Sequence, residues 1–129
     1  MKRPRLRRPT NAELGILRVL WRLGPSTVRQ VQRELAQDQP TGYTTALKLL
    51  QIMTEKGLVN RDETERTHVY RATLPEEETQ TQLVQDLVER AFGGSARQLM
   101  LRALSMDRTS SRELTEIRRL LDRLEGESK

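Results

Sequence analysis

The chain has no cysteine, one histidine and only four aromatic residues among its 129. Without cysteine it can form no disulfide, and it offers no thiolate for a metal site or a redox switch. A lone histidine, His68, cannot build a zinc site, and a surface position on a strand is favoured for it over pH sensing. Four aromatics argue against a stacking platform for single-stranded nucleic acid and predict a modest, aliphatic core.

Long apolar runs are also missing, and 32% of the residues are charged. This excludes a transmembrane helix. The basic start, residues 1–10, is followed by no hydrophobic stretch, so we expect no secretory signal and no membrane insertion. A cytoplasmic location is the prediction. No Gly-rich phosphate loop, nucleophile elbow or Cys/His pair is present, so we predict neither enzyme activity nor a cofactor.

Charge is unevenly distributed along the chain. Residues 1–74 hold 14 Lys/Arg against 7 Asp/Glu, whereas residues 75–129 hold 9 against 11. A basic N-terminal part joined to a nearly neutral C-terminal part indicates a polyanion-binding module with a second region attached. Solvated surface is the simpler alternative for such an asymmetry.

Helix signals follow one another along the chain. Thr10 with Glu13 and Thr27 with Gln30 have capping-box spacing, and Gly24-Pro25 ends the first helix. A third helix is predicted from Tyr43 to Lys56, ending at Gly57. Pro75 and the acids after it open a fourth helix, which Gly93-Gly94 ends. Two more helices are predicted to start near Ser95 and Ser110.

The segment Gly42 to Ala72 carries the functional prediction. After the third helix, strands are predicted at Leu58–Arg61 and Arg66–Ala72, with a polar tip between them. Two helices joined by a short turn and followed by a hairpin are typical of a recognition helix and its wing. We therefore predict a mainly α protein with a small β-hairpin, containing a winged helix-turn-helix domain that reads double-stranded DNA.

Helical periodicity divides the third helix into two faces. Stepping 100° per residue places Ala46, Leu49, Leu50 and Met53 on the core face. The polar face near the helix start carries Thr44 and Lys48, the predicted base readers. The remaining predicted DNA-binding residues surround this helix or lie on the wing and the N-terminal arm: Thr41, Tyr43, Thr45, Arg66, Arg5 and Arg7. An ordinary amphipathic surface helix is the alternative.

Two further basic features have competing interpretations. The arm, residues 1–9, contains five cations that would track phosphates or enter a minor groove, as homeodomain arms do. A solubilising tail is the alternative. At the wing tip, Arg66 is favoured over Arg61 as a phosphate contact, although three nearby acids suit a solvated hairpin.

The region after residue 74 is only 55 residues long, so three short helices bury little apolar area unless they associate. We therefore predict homodimerisation rather than a purely intramolecular core. A dimer places two recognition helices about one DNA turn, roughly 34 Å, apart, so the operator should be an inverted repeat. The predicted dimer contacts are Leu83, Leu87, Val88, Phe92, Leu104, Leu114, Ile117 and Leu121.

The chain resembles the penicillinase-repressor family (the BlaI/MecI/CopY transcriptional regulators) over nearly its whole length after Thr10. The resemblance rests on segments matched in order and spacing: 13–17 with Leu20-Trp21, 43–47, 55–59, Arg66 with 70–72, and 92–95. It implies a winged helix-turn-helix domain to about residue 74, a helical dimerisation region after it, and homodimeric repression at palindromic operators.

The resemblance also bears on the inducing signal. In antibiotic-responsive members a membrane sensor with a metallopeptidase domain triggers cleavage at an Asn-Phe bond, and such a sensor is an implied partner here. Arg102-Ala103 stands at that place, so the same cleavage rule does not carry over directly. Copper-responsive members use C-terminal cysteines, which this chain lacks, so thiolate copper sensing is excluded.

Together these arguments predict an arm (1–9), a winged-helix DNA-binding domain (10–74) and a helical dimerisation region (75–129). The predicted function is sequence-specific repression by a homodimer. The competing hypothesis is a winged-helix module that binds a protein partner without specific DNA binding.

Overall fold

The computed structural model describes residues 8–106 and 109–127. Within these residues the order is three helices with a short strand between the first two, then two strands, then three helices. The elements are α1 (Asn11–Leu23), β1 (Ser26–Thr27), α2 (Val28–Ala36), α3 (Tyr43–Lys56), β2 (Val59–Asp62), β3 (Val69–Ala72), α4 (Glu76–Ala91), α5 (Ala96–Leu104) and α6 (Ser111–Glu127). The prediction of a mainly helical protein with a small β element is confirmed.

The helix starts are set by side-chain caps at the predicted positions. The Thr10 hydroxyl accepts from the Glu13 amide, and Glu13 Oε1 accepts from the Thr10 amide at 2.9 Å. Thr27 and Gln30 form the same reciprocal pair at the start of α2. Each pair satisfies two amides that have no partner within the helix. α3 ends at Gly57, whose φ of +81° is a conformation that residues with a Cβ rarely adopt.

The sheet has three strands where a two-stranded hairpin was expected. β1 pairs antiparallel with β3, placing Ser26 opposite Tyr70, and β2 pairs with β3 on its other edge. The predicted hairpin strands are also shifted, because β2 is Val59–Asp62 and β3 begins only at Val69. β1 was not predicted, because a strand of two residues is too short to leave an alternating pattern in the sequence.

The core lies among α1, α2, α3 and the sheet, and it is aliphatic as predicted. Ala46, Leu50 and Met53 of α3 are fully buried, and Leu49 is partly buried against the same cluster. The one large aromatic side chain in the core is that of Tyr70 on β3, which is 1% exposed. Burying the predicted face of α3 leaves its opposite face in solvent.

The chain divides into two compact units at the boundary between Leu83 and Val84, which falls inside α4. In the first unit the start of α4 is anchored, because Thr79 is buried and the Trp21 indole N–H donates to the Leu74 carbonyl at 3.0 Å. In the second unit, no described residue is buried within one chain. In the two described ranges, no helix is both long and apolar enough to cross a membrane.

Candidate nucleic-acid interface

The first two turns of α3 present their polar side to solvent. Thr44, Thr45 and Lys48 are all exposed, whereas Ala46 and Leu50 on the packing face of the same helix are fully buried. The structure therefore brings the predicted base readers together on one exposed face. Threonine hydroxyls and a lysine ammonium at this spacing are suited to base-edge acceptors and phosphate oxygens in a groove.

The N-terminus of α3 differs from the capped starts of α1 and α2. Gly42 is its N-cap and makes no side-chain capping hydrogen bond. The amides of the first turn therefore lack a side-chain acceptor at the positive end of the helix dipole. Such an end favours an anionic group in front of it, and it is the end where the three exposed polar residues lie.

The turn before α3 is held by α2. The Gln32 side-chain amide donates to the Thr41 carbonyl at 2.9 Å. The Thr41 hydroxyl donates to the Gln39 carbonyl at 3.0 Å, which keeps that side chain inside the turn. Of the predicted contact residues, Thr41 is thus the one whose hydroxyl proton is already engaged, although its oxygen can still accept.

Arg29 on α2 lies over the aromatic ring of Tyr43, with its guanidinium carbon 5.3 Å from the ring centroid. Tyr43 is the first residue of α3 and is 44% exposed. A cation within about 6 Å of a ring face is attracted by the ring's quadrupole. Sequence reasoning missed Arg29, because no periodic pattern reveals a contact between residues 14 positions apart on different helices.

At the wing, the tip is organised by its own side chains. The Thr64 amide and hydroxyl both donate to Asp62 Oδ1, at 2.9 and 2.7 Å, and these hydrogen bonds lower the pKa of Asp62 below its ordinary value. Arg61 pairs with Glu63 at 2.6 Å. Arg66 is exposed, and within the described ranges it has no carboxylate partner at ion-pair distance. Arg61 is therefore already paired with an acid whereas Arg66, among the described residues, is not, and the preference for Arg66 as a phosphate contact stays a prediction.

The predicted arm contacts and the lone histidine have different outcomes. Arg5 and Arg7 lie outside the described residues. His68 is only partly exposed and lies in the loop just before β3, not within the strand as expected.

A largely buried ion pair joins α1 to the last turn of α3. Glu13, 2% exposed, accepts from the Lys56 ammonium at 2.8 and 2.9 Å. Burial by itself would raise the pKa of Glu13, but hydrogen bonds from Lys56 and the Thr10 amide outweigh it, and the pKa is lowered. Sequence reasoning identified Glu13 as a capping residue only, and it missed the link from α1 to the last turn of α3.

The predicted dimer contacts fall into two groups by exposure within one chain. Leu87, Leu104 and Leu121 are 48%, 39% and 46% exposed. The others are partly buried: Leu83, Val88, Phe92, Leu114 and Ile117. Leu83 lines a cavity of about 350 Å³ in the first unit, together with Leu14 and Trp21 of α1.

The helix pair α2–α3, followed by the strands β2 and β3, defines a winged helix-turn-helix domain. The penicillinase repressor family matches residues 9–123 of the chain. The transcriptional regulator BlaI of Mycobacterium tuberculosis is 31% identical over 123 residues, covering 95% of this chain and 88% of its own length. The penicillinase repressor of Bacillus licheniformis is 23% identical over 113 residues, or 88% of each chain. The chain belongs to the penicillinase repressor family, a family of transcriptional repressors.

Solved structures agree with this fold. The solution structure of the Bacillus licheniformis BlaI monomer in complex with the blaP half-operator has a TM-score of 0.50 at 23% identity. The solution structure of the BlaI repressor's DNA-binding domain has a TM-score of 0.51 at 23% identity. Each match covers 57% of this chain and 90% of the other. At 23% identity these likenesses show the fold alone, and the winged-helix prediction is confirmed.

Proposed function

We propose that this protein represses transcription by binding a specific double-stranded DNA operator as a homodimer. The observation that carries the proposal is the exposed N-terminal half of α3, where Thr44, Thr45 and Lys48 face solvent above a fully buried packing face. A helix that packs by one side and presents short polar groups and a cation on the other is suited to insertion in the major groove.

Each contact has a separate role in this proposal. Thr44 and Lys48 read base edges, and Thr45, Tyr43 and Thr41 contact the flanking backbone. Arg66 contributes a phosphate contact from the wing. Arg5 and Arg7 of the arm add cations that neutralise further phosphates. Affinity then comes mainly from the cations, whereas sequence preference comes from the two residues on the groove-facing side of α3.

The homodimer is supported by the apolar side chains of the second unit. Nine large hydrophobic residues between Val84 and Leu124 are at least 39% exposed in one chain, and no described residue of this unit is buried. Isolated exposed apolar residues are ordinary, but so many on three short helices indicate a surface that another chain covers. A C2 dimer presents two identical reading helices, which matches an inverted-repeat operator.

This division of labour assigns the DNA-binding role to residues 10–74 and dimerisation to residues 75–129. The compact units divide nine residues later, between Leu83 and Val84, so the first turns of α4, with the buried Thr79, belong to the first unit. α4 therefore contributes to both regions in the proposal. A membrane sensor with a metallopeptidase domain, carried over from the antibiotic-responsive family members, is the proposed source of the inducing signal.

Selection from a random-sequence duplex library tests the proposal directly. The full chain is incubated with the library at physiological salt, and the bound fragments are sequenced after several rounds. We expect an enriched inverted repeat with half-sites centred about 10 base pairs, or a multiple of one turn, apart. Enrichment without symmetry would contradict the dimeric mode of binding.

The same experiment distinguishes the two functional hypotheses that the sequence left open, DNA binding and protein binding. A winged-helix module for protein partners would give no enriched sequence and no salt-dependent footprint. Specific binding of the enriched duplex, measured against a scrambled duplex of equal length, should be about a thousandfold or more tighter. Equal affinity for the two duplexes would reject sequence-specific repression.

A further inference from the structure

Arg29 differs from two other arginines of the first unit in how its charge is compensated. Arg22 is paired with Glu34 at 2.7 Å, and Arg61 is paired with Glu63 at 2.6 Å. Arg29 has no carboxylate at ion-pair distance anywhere in residues 8–106 or 109–127. Within the described part of the chain, its guanidinium instead lies over the Tyr43 ring. Because no described carboxylate neutralises its positive charge, Arg29 is available to attract an anionic ligand.

The position of Arg29 links that charge to the start of α3. Arg29 is the second residue of α2, and the ring it covers belongs to the first residue of α3. From the same helix, Gln32 holds the Thr41 carbonyl in the preceding turn. α2 therefore contacts the start of α3 at two points, one polar and one aromatic. The contact with Tyr43 places the guanidinium beside the first turn of α3, which bears Thr44 and Thr45 and has no side-chain cap.

Stacking leaves the hydrogen-bonding capacity of the guanidinium available. Its N–H donors lie in the plane of the group and point outward from its edge, and the contact with the Tyr43 ring, 5.3 Å from the guanidinium carbon to the ring centroid, occupies none of them with an oxygen or nitrogen acceptor. An arginine ordered in this way loses less side-chain entropy on binding an anion than a free one. A planar guanidinium with free in-plane donors matches the geometry of two phosphate oxygens.

We propose that Arg29 is a phosphate-contacting residue of the DNA interface, and that the ring of Tyr43 is the positioning group that holds its guanidinium in place. The inference rests on the proposed DNA-binding function, and it gives Tyr43 a second role besides its own contact with the backbone. Because phosphate is common to every sequence, this pair contributes affinity and register without base preference.

Salt titrations of full-length variants test the proposal, using the selected inverted repeat and a scrambled duplex. Arg29→Met removes the charge and keeps the volume. We expect about tenfold weaker binding to both duplexes, and a log–log salt slope shallower by about 0.9 per protomer. Arg18→Met is the matched control, since Arg18 is an exposed arginine lining the cavity beside α4. It should leave the slope within error of the parent chain.

Variants of Tyr43 separate the positioning role from a direct contact. Tyr43→Phe keeps the ring and should retain the slope, whereas Tyr43→Leu removes the ring and should weaken binding. In the Arg29→Met background, the additional loss from the Phe-to-Leu change at Tyr43 should largely disappear. Thermal unfolding should show every variant folded, because both side chains are exposed.

The outcomes distinguish a failure of this inference from a failure of the proposed DNA-binding function on which it rests. If the parent chain shows no salt-dependent DNA binding, the proposed function fails and the inference fails with it. If the parent chain binds with a steep slope that Arg29→Met leaves unchanged, only the inference is overturned. The binding loss between Tyr43→Phe and Tyr43→Leu is compared in the parent and in the Arg29→Met background. If the loss is equally large in both, only the positioning role of Tyr43 is overturned.

Discussion

The carboxylate of Glu13 on α1 receives the ammonium of Lys56 on α3 through two short contacts, of 2.8 and 2.9 Å. The Glu13 side chain is 2% exposed and that of Lys56 is 19% exposed. The same carboxylate also caps α1 through the Thr10 amide. One side chain thus joins the start of the first helix to the end of the helix that carries the candidate base readers.

Lys56→Met should destabilise the first unit, because it leaves a buried carboxylate without its cation. Breaking a fully buried pair costs about 3–5 kcal/mol, and partial exposure of the ammonium reduces our expectation to about 2 kcal/mol. Urea denaturation followed by circular dichroism measures the change. Arg22→Met, which removes the exposed Arg22–Glu34 pair, is the control and should cost under about 1 kcal/mol. Equal effects of the two substitutions would contradict the importance of burial.

Acid should weaken the fold through the same pair. The folded-state pKa of Glu13 is lowered, so its stabilisation is complete above the unfolded-state pKa of glutamate, about 4.3. That stabilisation is lost as the pH falls through the lower folded-state pKa. Urea midpoints measured from pH 6 to pH 3 should decline less steeply in Glu13→Gln than in the parent chain. Parallel declines would assign the acid sensitivity to other carboxylates.

Lys48→Ala should weaken operator binding and relax base preference at the position that Lys48 faces. A side chain that reads a base edge is worth about 1–3 kcal/mol of discrimination. Competition binding against single-base operator variants measures it. Gln51→Ala, an exposed change one turn further along α3, is the control. If Lys48→Ala weakens all sequences equally, Lys48 is a phosphate contact instead.

Trp21→Phe should loosen the attachment of the segment before α4. The substitution keeps most of the ring but removes the indole donor that binds the Leu74 carbonyl at 3.0 Å. A part-buried hydrogen bond of this kind is worth about 1 kcal/mol. Chemical denaturation gives the total change, and hydrogen exchange in the first turn of α4 should accelerate. Unaltered exchange there would show that Thr79 and its neighbours hold the helix without the indole.

Leu121→Glu should convert the proposed homodimer into a folded monomer. Leu121 is 46% exposed in one chain, so a carboxylate there costs little unless a second chain covers it. Sedimentation equilibrium at micromolar concentration should show a dimer for the parent chain and a monomer for the variant. Thr115→Glu, on another face of α6, should remain dimeric. A monomeric parent chain would reject the dimer itself.

Helices were predictable from this sequence because their signals are local. Thr10, Thr27, Ser95 and Ser110 each cap the helix predicted to follow them, since a side-chain oxygen three residues before an amide is a feature of sequence spacing. The strands were predicted less accurately. Contacts between Asp62 and Thr64 organise the tip as a local turn, so β3 starts later than the β-branched pattern suggested.

The candidate site was predictable only in part, for the same reason. The faces of α3 follow from helical periodicity, so the buried Ala46 and the exposed Lys48 agree with the prediction. The contacts of Arg29 with Tyr43 and of Lys56 with Glu13 join residues 14 and 43 positions apart. Such pairs depend on how the helices pack, and no single-sequence pattern encodes that geometry. The DNA contacts themselves remain predictions.

Thr27 belongs to two structural elements at once. Its backbone lies opposite Val69 in the sheet, and its hydroxyl accepts from the Gln30 amide to start α2. A displacement of β3 therefore pulls directly on the first turn of the helix that carries Arg29. The wing and the helix-turn-helix should respond to strain as one mechanical element, so an event that bends the wing would be felt at the start of α2.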